Sequence, residues 1–399
     1  MNLRQTCLLF TLGVLLACKD TQSGRSNAKS PATDSLAVSE SEDSPEWIFR
    51  RNGKIRNAPL LPGIYQNTPI DTVDFPFITT KLVAALEQQQ KLLRQARPYK
   101  IQRVGNLVIR PEQLEETIKI LKQWQQTKPM YLHQYLDAHQ IWGEDRRGNV
   151  QFTGYFTPII KVKKTKDKNY KYAIYSRPRD WEGALPTRKQ IETEGALEGH
   201  GLELAYAQNA VDVYYMHLQG SGFVEYPNQK REYFAYDGTN RHPYRSIEKY
   251  IQQQPNLDVK NLSIEGIKRF LSQNPQLIDS ILCQNPSYTF FTRRKSQPKG
   301  AGGVPLAGDF SIAVDRRYIP LGSCLLAAFP VYDRKTRQLR HEFRIFLAQD
   351  VGGAIRGPGH VDVYTGVGKN AQRKASYLKL YGKLWLLLPK QDETISLSN

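Results

Sequence analysis

This chain has little with which to hold a metal or build a disulfide scaffold. It carries only four cysteines in 399 residues, and no Cys/His spacing has the character of a zinc site. The seven histidines form no His-Glu-x-x-His pattern. There is neither a phosphate-cradling P-loop nor a Gly-x-Ser-x-Gly elbow, so acid–base work falls to carboxylates. Beyond the N-terminal leader no apolar run is long enough to cross a bilayer, and no segment of the folded part is low in complexity. Negative charge is also scarce. Against 56 Lys and Arg stand 38 Asp and Glu, a net charge of +18. Such an excess favours a polyanionic partner: nucleic acid, anionic lipid or an acidic polymer. The basic residues are dispersed, apart from short clusters at Lys161–Lys168 and Arg293–Lys295, and no basic–aromatic module of a nucleic-acid binder is present, so no nucleic-acid partner is expected.

What is present at the N-terminus is a targeting segment. Arg4 supplies a positive charge, Cys7 to Leu16 is apolar, and the run closes on Leu15-Leu16-Ala17-Cys18. That closure resembles a bacterial lipobox, in which Cys18 becomes the lipidated first residue after residues 1–17 are removed. Acyl chains on Cys18 would anchor an exported, otherwise soluble protein. Lys19 is not the aspartate linked to inner-membrane retention, so an outer-membrane anchor facing the periplasm is expected for a Gram-negative source. Cys283 and Cys324 remain in an oxidising compartment, either as a disulfide or as two buried thiols.

Residues 18–46 are rich in Ser, Asp, Glu, Thr and Ala and read as a disordered tether. Folded sequence is expected from about Trp47. Thr80–Ala96 and Glu112–Gln125 carry apolar residues at helical spacing, the second led by Pro111. From about Gly148 the pattern turns to strands: FTGYFTPII, YKYAIYSR and AVDVYYMHLQGSGFVEY. A helical island covers Arg245–Gln253, Ile264–Ser272 and Gln276–Leu282, the last capped by Asn274-Pro275. Strand character returns from Tyr288 to about Leu388, and 391–399 is a polar tail. The chain is long enough for two domains.

The chemistry concentrates in FRIFLAQDVGGAIRGPGHVDVYTGVG, residues 343–368. Arg344 to Gln349 reads as a buried strand ending at Asp350. Val361 and Val363 face one side of a second strand, Asp362 and Tyr364 the other. A hairpin-like return through Gly352 and Gly353 would bring the two aspartates together in an apolar sheet. A desolvated carboxyl there has a raised pKa, as a general acid requires. Taken singly, each is a strand-end turn aspartate; Asp315, in SIAVDRRYIPLG, adds a third to the group. GYFTP at 154–158, HLQGSG at 217–222 and NPSY at 285–288 each combine an amide or hydroxyl with an aromatic ring. That mixture suits a carbohydrate, although each alone is equally a structural turn.

These segments, with YDGTNRHPYRSI and QNPSYTFF, are similar in order to the MltA-type membrane-bound lytic murein transglycosylases, and SIAVDRRYIPLG and AQDVGGAIRGPGHVDVYTGVG, which carry Asp315, Asp350 and Asp362, also resemble the three-aspartate (3D) domain. The resemblance implies a mainly β fold with some α. It comprises a double-psi β-barrel from 47–158 and 293–390, with a smaller β-barrel-like domain, 159–292, inserted to form the other wall of a glycan groove. It implies a lytic exotransglycosylase, a carbon–oxygen lyase without cofactor or metal, that cleaves the β-1,4 bond between N-acetylmuramic acid and N-acetylglucosamine to leave a 1,6-anhydro ring. Asp362 falls on the family's catalytic aspartate and Asp350 beside it. Tyr155, Thr157, Gln219, Ser221, Asn285, Ser287, Asp315 and Tyr364 are the implied sugar contacts. The implied partners are peptidoglycan strands, a membrane through Cys18 and cell-wall enzyme complexes, with the chain a monomer. Cys324 stands where the family often has proline. Two readings stay open beside this one: a hydrolase using Asp350 as second carboxylate, and a non-catalytic wall-binding lipoprotein.

Overall fold

The computed structural model describes Ala37, Val38 and residues 53–390, apart from 57, 69–75, 77, 96–99, 128–133 and 334. The leader, Cys18, most of the tether, the expected onset near Trp47 and the 391–399 tail lie outside the described residues. Among the described residues no helix is long and apolar enough to cross a membrane.

The first part of the chain runs β1 (Ala37–Val38), β2 (Tyr65–Asn67), α1 (Thr80–Gln95), the pair β3 (Gln102–Val104) and β4 (Leu107–Ile109), α2 (Pro111–Thr127), β5 (Leu136–Ile141) and β6 (Val150–Thr157). The last part supplies β13 (Ser311–Ala313), β14 (Cys324–Asp333), β15 (Gln338–Asp350), β16 (His360–Val367), α8 (Gly368–Tyr377) and β17 (Lys379–Pro389). Six of these strands close on themselves in the order β6, β16, β13, β15, β14, β17 and back to β6. Closure leaves no edge in the ring. β5 and β2 extend one side through β17.

Period-2 alternation fills the barrel. Phe152, Ile312, Phe346, Val361, Val363 and Leu386 all point into one cluster. Phe152, Phe329 and Phe346 meet there with centroids 5.3 to 6.1 Å apart. α1 and α2 lay their apolar stripes on the same core. Leu82 and Leu86 come from α1, and Leu114, Ile118 and Leu121 from α2. Each such side chain contributes roughly 1.5–3 kcal/mol by leaving water. Thr79 caps α1 through the amide of Leu82, and Pro111 occupies the first position of α2, where no amide is needed.

Between the two parts lie β7 (Ile159–Lys163), β8 (Tyr172–Tyr175), α3 (Arg188–Glu192), β9 (Glu203–Ala207), α4 (Ala210–Gln219), β10 (Gly222–Glu225), β11 (Arg231–Thr239), α5 (Ile247–Gln252), α6 (Ile264–Gln273), α7 (Ile278–Leu282) and β12 (Thr289–Arg294). Their strands form a separate six-stranded sheet, ordered β12-β11-β10-β7-β9-β8. A mainly β architecture with a six-strand barrel and a second sheet is the fold class expected from the sequence.

Three local expectations need correction. Ala210–Gln219 is a helix, not a strand. Asn209 caps its N-terminus by accepting from the amides of Val211 and Asp212, and Gly220 closes it in the left-handed region at φ 75°. α8 likewise interrupts the expected run of strands before Leu388. Asn274 makes no side-chain cap to the turn that follows it; its amide donates instead to Phe270 O at the end of α6. Of the two states open to Cys283 and Cys324, the structure has the free thiols, Cys324 buried and Cys283 half-buried.

α8 approaches the barrel closely because Gly154 has no side chain. A Cβ at 154 would stand 2.7 Å from Ala375 Cα and 3.1 Å from Ala375 Cβ. Gly154→Val should therefore prise α8 from β6 and destabilise the protein by about 2–3 kcal/mol. Thermal melting checks this, and an unshifted Tm would show the contact to be soft.

Candidate active site

The site grows from one pairing. β16 lies parallel to β6 with His360 opposite Gln151, Asp362 opposite Thr153 and Tyr364 opposite Tyr155. Because Phe152, Val361 and Val363 point into the barrel, the alternate residues must point out. His360, Asp362 and Tyr364 therefore share one outer stripe with Thr153 and Tyr155. Thr153 Oγ1 donates to Asp362 Oδ1 at 2.8 Å and lies 2.8 Å from His360 Nε2. The Tyr155 and Tyr364 rings stand beside them, 5.2 Å apart.

Asp350 reaches this stripe by a different route from the one its spacing suggests. β15 and β16 do not form a hairpin. β13 runs between them, parallel to β15 and antiparallel to β16, with Ala313 opposite both Asp350 and Asp362. Tyr155 closes the gap: its phenol donates to Asp350 Oδ2 at 2.8 Å.

The two carboxyls sit in unequal surroundings. Asp350 Oδ1 accepts from the amides of Ala301 and Val351, both at 2.8 Å. With Tyr155 that makes three donors, which oppose the upward push of burial. Asp362 has the Thr153 hydroxyl alone. Desolvation pushes it up to about 7, Thr153 draws it down, and the charge of Asp350 adds a smaller upward push. Of the pair, Asp362 is the one that keeps a proton near neutral pH. Such a group can donate a proton and then, as a carboxylate, take one back.

This arrangement has counterparts. Residues 151–292 match the model of the MltA specific insert domain, and residues 310–388 that of the 3D domain. Membrane-bound lytic murein transglycosylase A of Vibrio cholerae is 37% identical over 274 residues, covering 67% of this chain and 74% of its own length. That of Escherichia coli K12 is 38% identical over 256 residues, covering 63% and 69%. The chain belongs to the MltA family. Among solved structures, E. coli MltA with bound chitohexaose superposes with a TM-score of 0.71 at 30% identity, covering 85% of this chain and 98% of that one. The lytic murein transglycosylase of Agrobacterium tumefaciens gives 0.68 at 25% identity, covering 82% and 97%.

The other expected contacts divide. Gln219, at the end of α4, accepts through Oε1 from the amide of Phe156 at 2.9 Å, so half of its side chain holds β6. Ser221 lies near the Tyr233 hydroxyl, whose pKa burial raises and Ser221 draws down in part. Both sit beside the stripe. Thr157 is buried and shares a 2.9 Å hydrogen bond with the Tyr364 hydroxyl; it orients that ring from behind and offers no free hydroxyl. Asp315 is turned away from the pair. Arg317 binds it at 2.6 Å and the amide of Gly357 at 2.9 Å, and it is drawn down to about 2, chiefly by Arg317. It clamps the loop between Asp350 and His360 and takes no proton at neutral pH. Asn285 departs furthest from the expectation: it is buried, with Oδ1 accepting from the amides of Arg245 and Ser287, and the half-buried Ser287 beside it engages Arg188 through its backbone carbonyl. They brace the fully buried Arg188, which also pairs with Glu192 at 2.7 Å.

Two residues of the stripe, Thr153 and His360, escaped the reading of the sequence. Each lies two positions before a residue that was singled out, Tyr155 and Asp362, so strand periodicity alone marks them.

Burial of Asp362 carries a thermodynamic signature. A carboxyl with a raised folded-state pKa disfavours the fold as pH climbs from its unfolded value towards about 7. This group should remove roughly 2–3 kcal/mol of stability between pH 5 and 8. Asp362→Asn should therefore melt above the wild type at pH 8, with a smaller difference at pH 5. A constant difference across that range would mean that Asp362 titrates normally.

Proposed function

We propose that this chain is a lytic transglycosylase that cleaves the β-1,4 bond between N-acetylmuramic acid and N-acetylglucosamine of peptidoglycan. The observation that carries the reading is a single carboxyl, Asp362, held near neutral pKa on an outward-facing stripe of a barrel shared with the MltA family. Protonated Asp362 gives its proton to the glycosidic oxygen as the C1–O bond breaks. The carboxylate left behind accepts the proton of the C6 hydroxyl as that oxygen bonds to C1. Atoms balance without water, and the product is a 1,6-anhydro ring. Asp350, already holding three donors, supports Asp362 electrostatically and orients Tyr155. A hydrolase would need a second carboxylate free to activate water across the bond.

Residues 47–158 and 293–390 then act as one catalytic unit, and 159–292 supplies the facing wall of the groove. Tyr155, Tyr364, Gln219 and Ser221 bound the sugar site. Gln219 offers its amide Nε2, since Oε1 is engaged with Phe156. Tyr236 and Tyr244, 58% and 48% exposed, provide ring surface on the wall. The excess of positive charge suits an anionic wall polymer. Lipidation of Cys18 would hold the enzyme on the outer membrane facing the periplasm.

Asp362→Asn should abolish release of sugars from purified sacculi while leaving binding intact, and Asp350→Asn should slow release less. Mass spectrometry of the products should find 1,6-anhydromuramyl ends. Reducing muramic acid as the main product would instead establish hydrolysis. Cys18→Ala should shift the protein out of the membrane fraction; a mature, membrane-bound Cys18→Ala protein would remove the lipid anchor from this account.

A further inference from the structure

His360, Thr153 and Asp362 form a continuous hydrogen-bonded line, with 2.8 Å from His360 Nε2 to Thr153 Oγ1 and 2.8 Å from Thr153 Oγ1 to Asp362 Oδ1. The central hydroxyl has one proton, so the line runs in one of two directions. If His360 carries its proton on Nε2, it donates to Thr153, and the Thr153 proton is left to donate to Oδ1. Oδ1 is then an acceptor whether or not Asp362 is protonated, and the acid proton resides on Oδ2. If His360 carries its proton on Nδ1, Thr153 donates to Nε2 and can accept from Oδ1–H. The acid proton is then buried against β6, where no substrate oxygen can reach it.

We infer that His360 is a positioning residue, acting through the Thr153 hydroxyl to keep the proton of Asp362 on Oδ2. The inference rests on the reading of Asp362 as the general acid and adds to it the choice of oxygen. The surroundings of His360 fit the role. Burial lowers its pKa, Glu144 opposes this, and Lys379 adds to it. Glu144 is itself held by the Tyr381 hydroxyl and lies 3.8 Å from Lys54. The imidazole is therefore neutral at pH 7, and a neutral imidazole has a tautomer to choose. The backbone fixes where it stands. Gly359, just before it, passes so close to residue 144 that a Cβ there would meet Glu144 N at 2.4 Å, and Gly359 O accepts from the amide of Gln151 at 2.8 Å.

The test uses the full-length protein on purified sacculi, with kcat, KM and the pH profile read for four single variants. His360→Leu should lower kcat about ten- to a hundredfold, at or below the lower end of the ~10²–10⁴-fold that a proton-transfer group itself contributes, as suits a residue acting through another, with KM little changed. His360→Gln, whose amide can donate to Thr153, should recover most of that loss. Thr153→Val should lower kcat similarly and move the alkaline limb of kcat/KM to higher pH, because Asp362 loses the donor that holds its pKa down. Thr153→Ser should restore both. The double variant His360→Leu/Thr153→Val should be no slower than Thr153→Val alone, since the two act along one line. Wild-type kcat and pH profile in His360→Leu, or losses that multiply in the double variant, would overturn the inference. Activity surviving in Asp362→Asn would instead remove the general acid itself, whatever His360 does.

Discussion

The parallel pairing of β6 with β16 is the constraint on which the rest depends. It sets Asp362 opposite Thr153 and Tyr364 opposite Tyr155, and its inward residues, Phe152, Val361 and Val363, lie in the barrel core. A slip of one residue would turn every side chain of β16 to the opposite face. Val361 and Val363 would enter water and Asp362 the apolar interior. The energy that holds the register is therefore the burial of aliphatic and aromatic side chains, at about 25 cal/mol per Å². The position of the carboxyl follows from packing that has nothing to do with proton transfer, and this lets a desolvated acid persist on the outer face of a stable ring.

Desolvation alone would raise both aspartates. What separates them is the number of donors each can reach, and that follows from where each strand ends. Asp350 is the last residue of β15, so the chain beyond it has left the ladder. The amides of Val351 and of Ala301 are free to turn onto its carboxylate. Asp362 lies inside β16, where the neighbouring amides belong to the sheet, and only a side chain, Thr153, can serve it. One carboxyl at a strand end and one within a strand thus differ: donors restrain the upward shift of Asp350, and Asp362 is left as the proton carrier. Asp315 shows the extreme of the first case, with a guanidinium and two amides fixing it as an anion.

Much of this was legible in the sequence. Period-2 alternation gave the inward and outward faces of β16, and 3.6-residue spacing gave α1 and α2. Failures came where two signals coincide. Val211 to Gln219 alternates like a strand because its helix is wedged between two cores. Val213 and Met216 enter one, and Val211, Tyr214 and Tyr215 the other. A helix apolar on both sides loses the polar face that would betray its period. The Gly-rich link between Asp350 and Asp362 looked like a hairpin because local sequence cannot announce that a strand from elsewhere, β13, will enter between its arms. Asn285 looked like a sugar contact because a polar residue near an aromatic reads the same whether it faces a groove or, as here, backbone amides in the interior.

The inserted sheet is tied to β6 by more than proximity. β6 ends at Thr157, and after Pro158 the same chain continues as β7 of the second sheet. Pro158 O accepts from the amide of Phe223 at the start of β10, and Gln219 Oε1 accepts from the amide of Phe156. α8, packed on Gly154, reaches the insert through the contact of Gln372 with Glu265 and the packing of Ile264 on Phe156, Ala371 and Ala375. A displacement of the insert relative to the barrel would therefore have to move the end of β6, and with it Tyr155 and its hydrogen bond to Asp350. The insert and the carboxyl pair are thus joined through β6 itself, whose Phe156 carries the bond to Gln219 one residue after Tyr155 and three after Thr153.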